Sequence, residues 1–100
     1  MYKIMLCCSA GMSTSLLVNN MRNFAEESDV VNAEPVSELE RVIDDYDVIL
    51  LGPQIRFKEK DVKKLADPKG IPSGVIDMRA YGVMDGKAAM EQARKLLASK

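Results

Sequence analysis

The chain has 100 residues, of which 47% are apolar and 29% are charged, and its net charge is −1. This length suits a single domain that covers residues 1–100 and buries a core without disulfides. The balanced charge lacks the basic footprint of a nucleic-acid-binding protein, so no nucleic-acid partner is expected. No apolar run approaches the ~20 residues that span a bilayer, and no signal-peptide pattern is present, which predicts a cytoplasmic protein.

Two residue types limit the chemistry further, because cysteine occurs only as the adjacent pair Cys7 and Cys8 and histidine does not occur. Adjacent cysteines bridge only with strain, so reduced thiols are expected. The lack of histidine excludes a Cys-His or Ser-His nucleophile pair, a phosphohistidine carrier and a His-ligated metal. Two neighbouring thiols alone are also a poor zinc site.

The first third of the chain predicts two strands separated by a loop and a helix. Residues 2–8 are almost wholly apolar, as in a parallel strand that is buried on both faces. Residues 9–15 are small and polar apart from one methionine and predict a loop, after which a helix runs to about Glu27. Residues 30–36 predict a second strand, and Pro35 favours an edge position for it. The apolar stripe of the helix is formed by Leu16, Leu17, Met21, Phe24 and Ala25.

The middle of the chain predicts a short helix, a third strand and a longer helix. Ser37 and Glu40 resemble a capping box that opens the short helix, over about 37–44. Residues 47–51 form the apolar third strand. The longer helix covers about 53–66 and begins with a proline, which suits the first helical position.

The last third predicts a strand, a turn and a helix. The strand covers residues 71–77, and the turn lies around Tyr81 and Gly82. Asp85 is a plausible N-cap for a final helix that runs to about Ala98.

The resulting order β-α-β-α-β-α-β-α predicts an α/β fold, with a four-stranded parallel sheet and helices on both faces. We expect the strand order 2-1-3-4 with right-handed crossovers, because the second strand then lies at an edge. The order reverses between strands one and three, and ligands bind at the carboxyl ends of strands beside such a point. Residues 8–15 and the turn Gly52-Pro53-Gln54 are therefore expected to face each other across a crevice.

The loop after the first strand has the composition of an anion-binding site. Small side chains let backbone amides point inward, and a helix N-terminus adds unpaired N–H groups and positive dipole character. A phosphate fits there without a cationic side chain, and the same field favours the thiolate of Cys8. The pattern therefore predicts a phosphocysteine at Cys8, held by a phosphate-binding loop of Ser9, Ala10, Gly11, Met12, Ser13, Thr14 and Ser15.

Structural alternatives remain open for several of these residues. Cys8 could be a small buried strand residue, since cysteine is often buried. Cys7 points the opposite way along the strand, and for it the structural interpretation is favoured. The hydroxyl residues 13–15 are good helix caps, a role that is compatible with phosphate binding.

The cysteine loop resembles that of the low-molecular-weight protein tyrosine phosphatases, which also place a cysteine between a first strand and a helix. Their loop closes with an arginine six positions after the cysteine, where this chain has Thr14. The next arginine is Arg22, more than two helical turns away. Without a guanidinium to clamp the phosphate, a phosphatase or an arsenate-type reductase is the less favoured alternative.

The segment from Cys8 to Leu17 more closely resembles the active site of another family, the enzyme IIB components of the phosphoenolpyruvate-dependent sugar phosphotransferase system. The lactose/cellobiose/chitobiose class matches best. Two further segments match it in the same order, residues 48–55 and the run 75–77 continuing through Tyr81-Gly82 and Asp85-Gly86. The resemblance covers the length of the chain.

This resemblance implies a phosphotransferase that carries a phosphoryl group on Cys8. The donor would be the phosphohistidine of an enzyme IIA protein. The acceptor would be a sugar taken up through a membrane-embedded enzyme IIC, a β-linked disaccharide such as cellobiose, chitobiose or lactose. It also implies that the chain is cytoplasmic and peripheral to the transporter, and that no metal or organic cofactor is needed.

Residues outside the loop receive two interpretations each. The turn Gly52-Pro53-Gln54 is an ordinary helix entry or the second wall of the crevice. Tyr81 is a packing residue or contacts a phosphoryl oxygen, and Asp77 is a turn or capping residue. The charged run 56–64 is a solvated helix face, or it docks a partner through Phe57 and Ile55; a non-catalytic regulatory domain is the remaining alternative for the whole chain.

Overall fold

The sheet has the predicted topology. The computed structural model describes residues 2–8, 14–26 and 28–99. Its four strands are all parallel and are ordered β2-β1-β3-β4, so β1 and β3 are central and β2 is an edge. They are β1 (Lys3–Cys8), β2 (Val30–Pro35), β3 (Val48–Leu51) and β4 (Ser73–Val75).

Five α-helices and four 3₁₀ turns connect and cover these strands in the described part of the chain. The helices are α1 (Thr14–Arg22), α2 (Leu39–Val42), α3 (Glu59–Ala66), α4 (Met78–Gly82) and α5 (Gly86–Ala98). The 3₁₀ turns are Val36–Glu38, Ile43–Asp45, Pro53–Lys58 and Asp67–Lys69.

Alternation along the central strands divides the interior into two apolar cores. Ile4 and Leu6 of β1 face a core that also contains buried residues of α1, α4 and α5. Met5 and Cys7 face the opposite core, which contains buried residues of α2 and α3. Helices therefore cover both faces of the sheet, as the continuous apolar strands predicted. The reduced Cys7 is fully buried, which confirms its structural interpretation.

The first helix is shorter than predicted, and part of its expected apolar stripe is wrong. It ends at Arg22 instead of near Glu27, and Phe24 lies in the turn that follows, with 48% of its surface exposed. Leu16 is also exposed, and Val18 takes the buried place beside Leu17 and Met21. Beyond Arg22 the amides of residues 23–25 bond to the third residue back instead of the fourth. The Arg22 Nε and a second guanidinium nitrogen donate to the carbonyl of Val31 in β2, at 3.1 and 2.8 Å.

The capping box expected at Ser37 is also wrong. Ser37 lies inside the 3₁₀ turn Val36–Glu38, and neither this turn nor α2 has a side-chain cap. The amide of Leu39, the first residue of α2, donates to the carbonyl of Val36 in the 3₁₀ turn. The turn thus supplies an acceptor where a side-chain cap would otherwise be needed.

Three further elements differ from the sequence-based expectations. The helix expected over 53–66 is a 3₁₀ turn with non-helical backbone at Ile55, followed by α3. β4 is three residues long instead of seven. The turn expected around Tyr81 and Gly82 is the short helix α4. The expected N-cap at Asp85 is confirmed, since its carboxylate accepts from the amide of Ala88 at 3.0 Å.

Candidate phosphotransfer site

The carboxyl ends of β1 and β3 lie side by side at the reversal of strand order. The backbone of Cys8 ends β1 opposite Pro35 of β2, and Cys7 is in register with Leu51 of β3. The amide of Gly52 donates to the carbonyl of Cys7 at 3.1 Å. The turn after β3 therefore begins directly beside the end of β1, where ligands bind in sheets of this type.

The predicted phosphate-binding loop can be placed only through its two ends. Residues 9–13, which include Ser9, Ala10, Gly11, Met12 and Ser13, lie outside the described residues, and Thr14 and Ser15 are described only as the backbone of the first turn of α1. The loop thus connects the central strand β1 to the start of α1. Its role in binding phosphate stays a prediction.

The turn Gly52-Pro53-Gln54 forms a packed unit with Tyr81. Pro53 occupies the first position of its 3₁₀ turn, as the sequence predicted. A Cβ atom placed on Gly52 would lie 2.6 Å from Oε1 of Gln54 and 3.5 Å from a ring carbon of Tyr81, so only glycine fits without a shift. Tyr81 is buried, which confirms its packing role and places its ring at the predicted wall of the crevice.

An open pocket of about 660 Å³ lies between this turn and α4. Two of its apolar residues are strongly exposed, Phe57 by 72% and Met78 by 61%. The full lining is Pro53, Gln54, Arg56, Phe57, Met78, Tyr81 and Gly82. The docking alternative named Ile55 as a second anchor beside Phe57, and that part of it is wrong, because the kink in the turn directs Ile55 into the core, where it is 3% exposed.

Two carboxylates near this edge of the sheet are engaged in structural contacts. Asp77 accepts from the amides of Arg79 and Ala80 at 3.1 and 3.2 Å, which confirms it as the N-cap of α4. Glu34, which is in register with Cys7 on the neighbouring strand β2, accepts a hydrogen bond from the phenol of Tyr46 at 3.1 Å. Burial raises the pKa of Tyr46, so the tyrosine remains a neutral donor. Within the described part of the chain, no group of three or more Cys, Asp or Glu side chains is arranged to hold a metal ion.

Comparison with known proteins decides what kind of site this is. Residues 3–92 match the family described as the lactose/cellobiose-specific IIB subunit of the phosphotransferase system. The chain belongs to this family. An oligo-β-mannoside-specific IIB component of Bacillus subtilis is 45% identical over 97% of both chains. A galactose-specific IIB component of Lactococcus lactis is 37% identical over 94% of both chains.

Solved structures of IIB proteins share the fold. The cellobiose-specific IIB component of Borrelia burgdorferi is 36% identical, with a TM-score of 0.81 over 99% of this chain and 94% of the other. The lactose-specific IIB domain of Streptococcus pneumoniae superposes with a TM-score of 0.77 over 97% of this chain and 95% of its own; at 21% identity it supports the fold alone. This chain is therefore a IIB phosphotransferase component, which transfers phosphate to sugar.

The structure also shows why the one arginine near the IIB loop in sequence is not a phosphate clamp. Arg22 lies in the last turn of α1, far from the start of the helix, and its guanidinium is held by the carbonyl of Val31 and the side chain of Asn32. A phosphatase of the related loop type needs a guanidinium at the phosphate. This arginine is used instead to fasten α1 to β2.

Sequence reasoning missed part of the pocket between the Gly52 turn and α4. Met78 and Gly82 line it, yet no sequence pattern predicts that they do, because both depend on α4 folding back toward the turn after β3. Arg56 was expected only as part of a charged surface run and instead contributes the pocket's one cationic group among the described residues. The described helices include none that is both long and apolar enough to cross a bilayer.

Proposed function

We propose that residues 1–100 act as one phosphocarrier domain in which Cys8 carries the phosphoryl group. The observation that supports this most directly is the position of the Cys8 backbone, which ends the central strand β1 beside the Gly52 turn. In parallel sheets this place is the site of ligand binding. The family assignment adds that the ligand is a phosphoryl group in transit to a sugar.

The proposed reaction has two balanced transfers. In the first, the Cys8 thiolate attacks the phosphorus of a phosphohistidine on enzyme IIA, so that a P–S bond forms, the P–N bond breaks and the imidazole leaves. In the second, a sugar hydroxyl attacks the same phosphorus, the P–S bond breaks, the thiolate leaves and the hydroxyl proton is released. Backbone amides of residues 9–15 would stabilise the charge on the equatorial oxygens in both steps.

The partners and the sugar class follow from the relatives. A lactose-specific EIICB component of Staphylococcus epidermidis, in which the matched part is 16% of the chain and 29% identical, joins a IIB region to a IIC region. We therefore propose that a membrane-embedded IIC presents the sugar and that this chain works at the cytoplasmic side, peripheral to it. Relatives specific for oligo-β-mannoside and cellobiose favour a β-linked saccharide as the acceptor.

Phosphate mapping tests the carrier role. The protein is incubated with phosphorylated enzyme IIA, digested and analysed by mass spectrometry under conditions that preserve thiophosphate bonds. One phosphate per chain is expected, on the peptide that contains Cys8. Phosphate on any other residue, or none, would refute the carrier role.

We further propose that the pocket beside the Gly52 turn is a docking surface for the phosphorylated enzyme IIA. Phe57 and Met78 offer exposed apolar contacts, and the ammonium of Lys58 lies 5.9 Å from the Phe57 ring centroid. Arg56 adds a positive charge to the lining. This combination complements a donor that carries an anionic phosphohistidine.

Replacing Phe57 with alanine should raise KM for phosphorylated IIA about tenfold and leave kcat within about twofold, because an exposed aromatic anchor contributes to binding and not to chemistry. Steady-state transfer kinetics measure both constants. Phe24→Ala is the matched control, since Phe24 is also exposed but lies after the end of α1 and does not line the pocket. Equal KM values for the two variants would contradict the docking role.

A further inference from the structure

Among the described residues, Asn20 makes the directional contact of α1 itself with the α4–α5 connection, while Arg22 fastens the last turn of the helix to β2 and Arg94 of α5 bonds to the turn after α1. The side-chain amide of Asn20 donates to the backbone carbonyl of Met84 at 2.9 Å, in a partly buried setting between residues 64 positions apart. Apolar packing of Leu17 and Met21 against α5 holds the helix to the core. Such packing is not directional, so a hydrogen bond is needed to set how far the helix slides along its axis.

The acceptor of this bond is itself held rigidly. Met84 has a φ of 54°, and it is the one non-glycine residue of the described chain with a left-handed backbone. Its amide donates to the carbonyl of Tyr81 at 3.1 Å, and the next amide, of Asp85, donates to Ala80 at 2.8 Å. The connection between α4 and α5 therefore cannot move without disturbing the helix that carries Tyr81.

The bond consequently joins the two sides of the proposed site. On one side, α1 follows the loop after Cys8, and Asn20 lies about 9 Å along the axis from the first residue of the helix. On the other side, α4 carries Tyr81, whose ring packs at the Gly52 turn. β1 is hydrogen-bonded to strands on both sides and Arg22 fastens the last turn of α1 to β2, so the first turns of α1 are the less constrained end of the loop.

We infer that Asn20 is a positioning residue for phosphoryl transfer: its bond to Met84 sets the place of the α1 N-terminus relative to Cys8. The inference rests on the proposed carrier role of Cys8. Asn20 lies at the second turn of α1 and acts through the helix. Loss of the bond would let the first-turn amides drift from the phosphoryl oxygens, and misplacement by about 1 Å costs up to ~100-fold in rate.

The test compares Asn20→Ala with Asn19→Ala, which changes the same residue type at the exposed neighbouring position and removes only a 3.4 Å contact from Arg22, whose two bonds to Val31 remain. Asn20→Ala should lower kcat for phosphoryl acceptance about 10- to 100-fold, with KM for phosphorylated IIA within about twofold. Asn19→Ala should retain the wild-type kcat. Asn20→Leu keeps the approximate shape and loses the donor without adding a charge, so it should match Asn20→Ala and serves if the alanine variant does not fold.

A second readout separates positioning from general stability. The pH dependence of Cys8 alkylation is measured in a Cys7→Ala background at a temperature where every variant is folded. With α1 displaced, the thiolate loses part of its helix-dipole stabilisation, so the alkylation midpoint should rise toward the ordinary cysteine value of ~8.5. An unchanged midpoint together with an unchanged kcat would overturn the inference.

Failure of the carrier role gives a different result. If the wild-type protein accepts no phosphate on Cys8, the proposed function fails, whereas the alkylation midpoint still reports whether Asn20 positions α1. If wild-type Cys8 is phosphorylated and Asn20→Ala or Asn20→Leu accepts phosphate equally fast, the carrier role stands and the positioning role is refuted.

Discussion

Replacing Cys8 with serine should abolish phosphoryl acceptance while the protein remains folded. A serine hydroxyl is not ionised at neutral pH, so the variant lacks the anionic nucleophile that attacks phosphohistidine. Removing an enzyme's nucleophile costs about 10⁴-fold or more in rate. The measurement is the initial rate of label transfer from phosphorylated IIA, followed by transfer to sugar in membranes that contain the IIC partner.

The adjacent cysteine provides the control. Cys7 is fully buried among residues of α2 and α3, so Cys7→Ala should retain the transfer rate and lose only ~1 kcal/mol of unfolding free energy through the small cavity. A Cys8→Ser protein that still accepts phosphate at the wild-type rate would show that the nucleophile lies elsewhere. Loss of transfer in Cys7→Ala alone would show that Cys7, and not Cys8, is the nucleophile.

Replacing Gly86 with alanine should lower the free energy of unfolding by about 3 kcal/mol. A Cβ atom at this first residue of α5 would lie 2.5 Å from the carbonyl oxygen of Asn20 and 2.5 Å from the amide nitrogen of Met21. Both are backbone atoms of α1, which cannot rotate away as a side chain would. The two helices must separate, and overpacking of this kind costs about 1–3 kcal/mol or more.

Urea unfolding measures this effect, and Gly82→Ala is the matched control. No atom lies within 4 Å of a Cβ built on Gly82, so alanine there should leave stability unchanged or raise it by up to ~1 kcal/mol through its higher helix propensity. Coincident unfolding curves for Gly86→Ala and the wild type would contradict the close approach of α1 and α5. Gly86→Ala should also transfer phosphate more slowly under conditions in which it is folded, because α1 is the element that the new Cβ displaces.

Much of the fold could be predicted from the sequence because its signals are local. The apolar runs of β1 and β3 indicated strands buried on both faces, and Pro35 indicated the edge position of β2. The caps at Asp77 and Asp85 depend on a side chain and amides two or three residues away, so both were identified correctly. The end of α5 at Ala98 follows from the same short-range periodicity.

Where the sequence signals failed, contacts between distant segments were decisive. Arg22 at the end of α1 is bonded to β2, and Phe24, in the turn that follows, is exposed. A continuous helix was expected over 53–66, and the alternative that used Ile55 as a docking anchor fails because the kink directs Ile55 into the core. A periodic pattern identifies an apolar face but not the point at which another element interrupts the helix.

The sequence by itself determined the order of elements, the strand order and the position of Cys8 at the carboxyl end of a central strand, because each depends on neighbouring residues or on topological rules. Only the tertiary structure decided that Tyr81 packs at the Gly52 turn, that Phe57 and Met78 border a pocket, and that Asn20 is bonded to Met84. These pairings join residues 29, 21 and 64 positions apart, and no local pattern encodes which of them meet once the chain is folded.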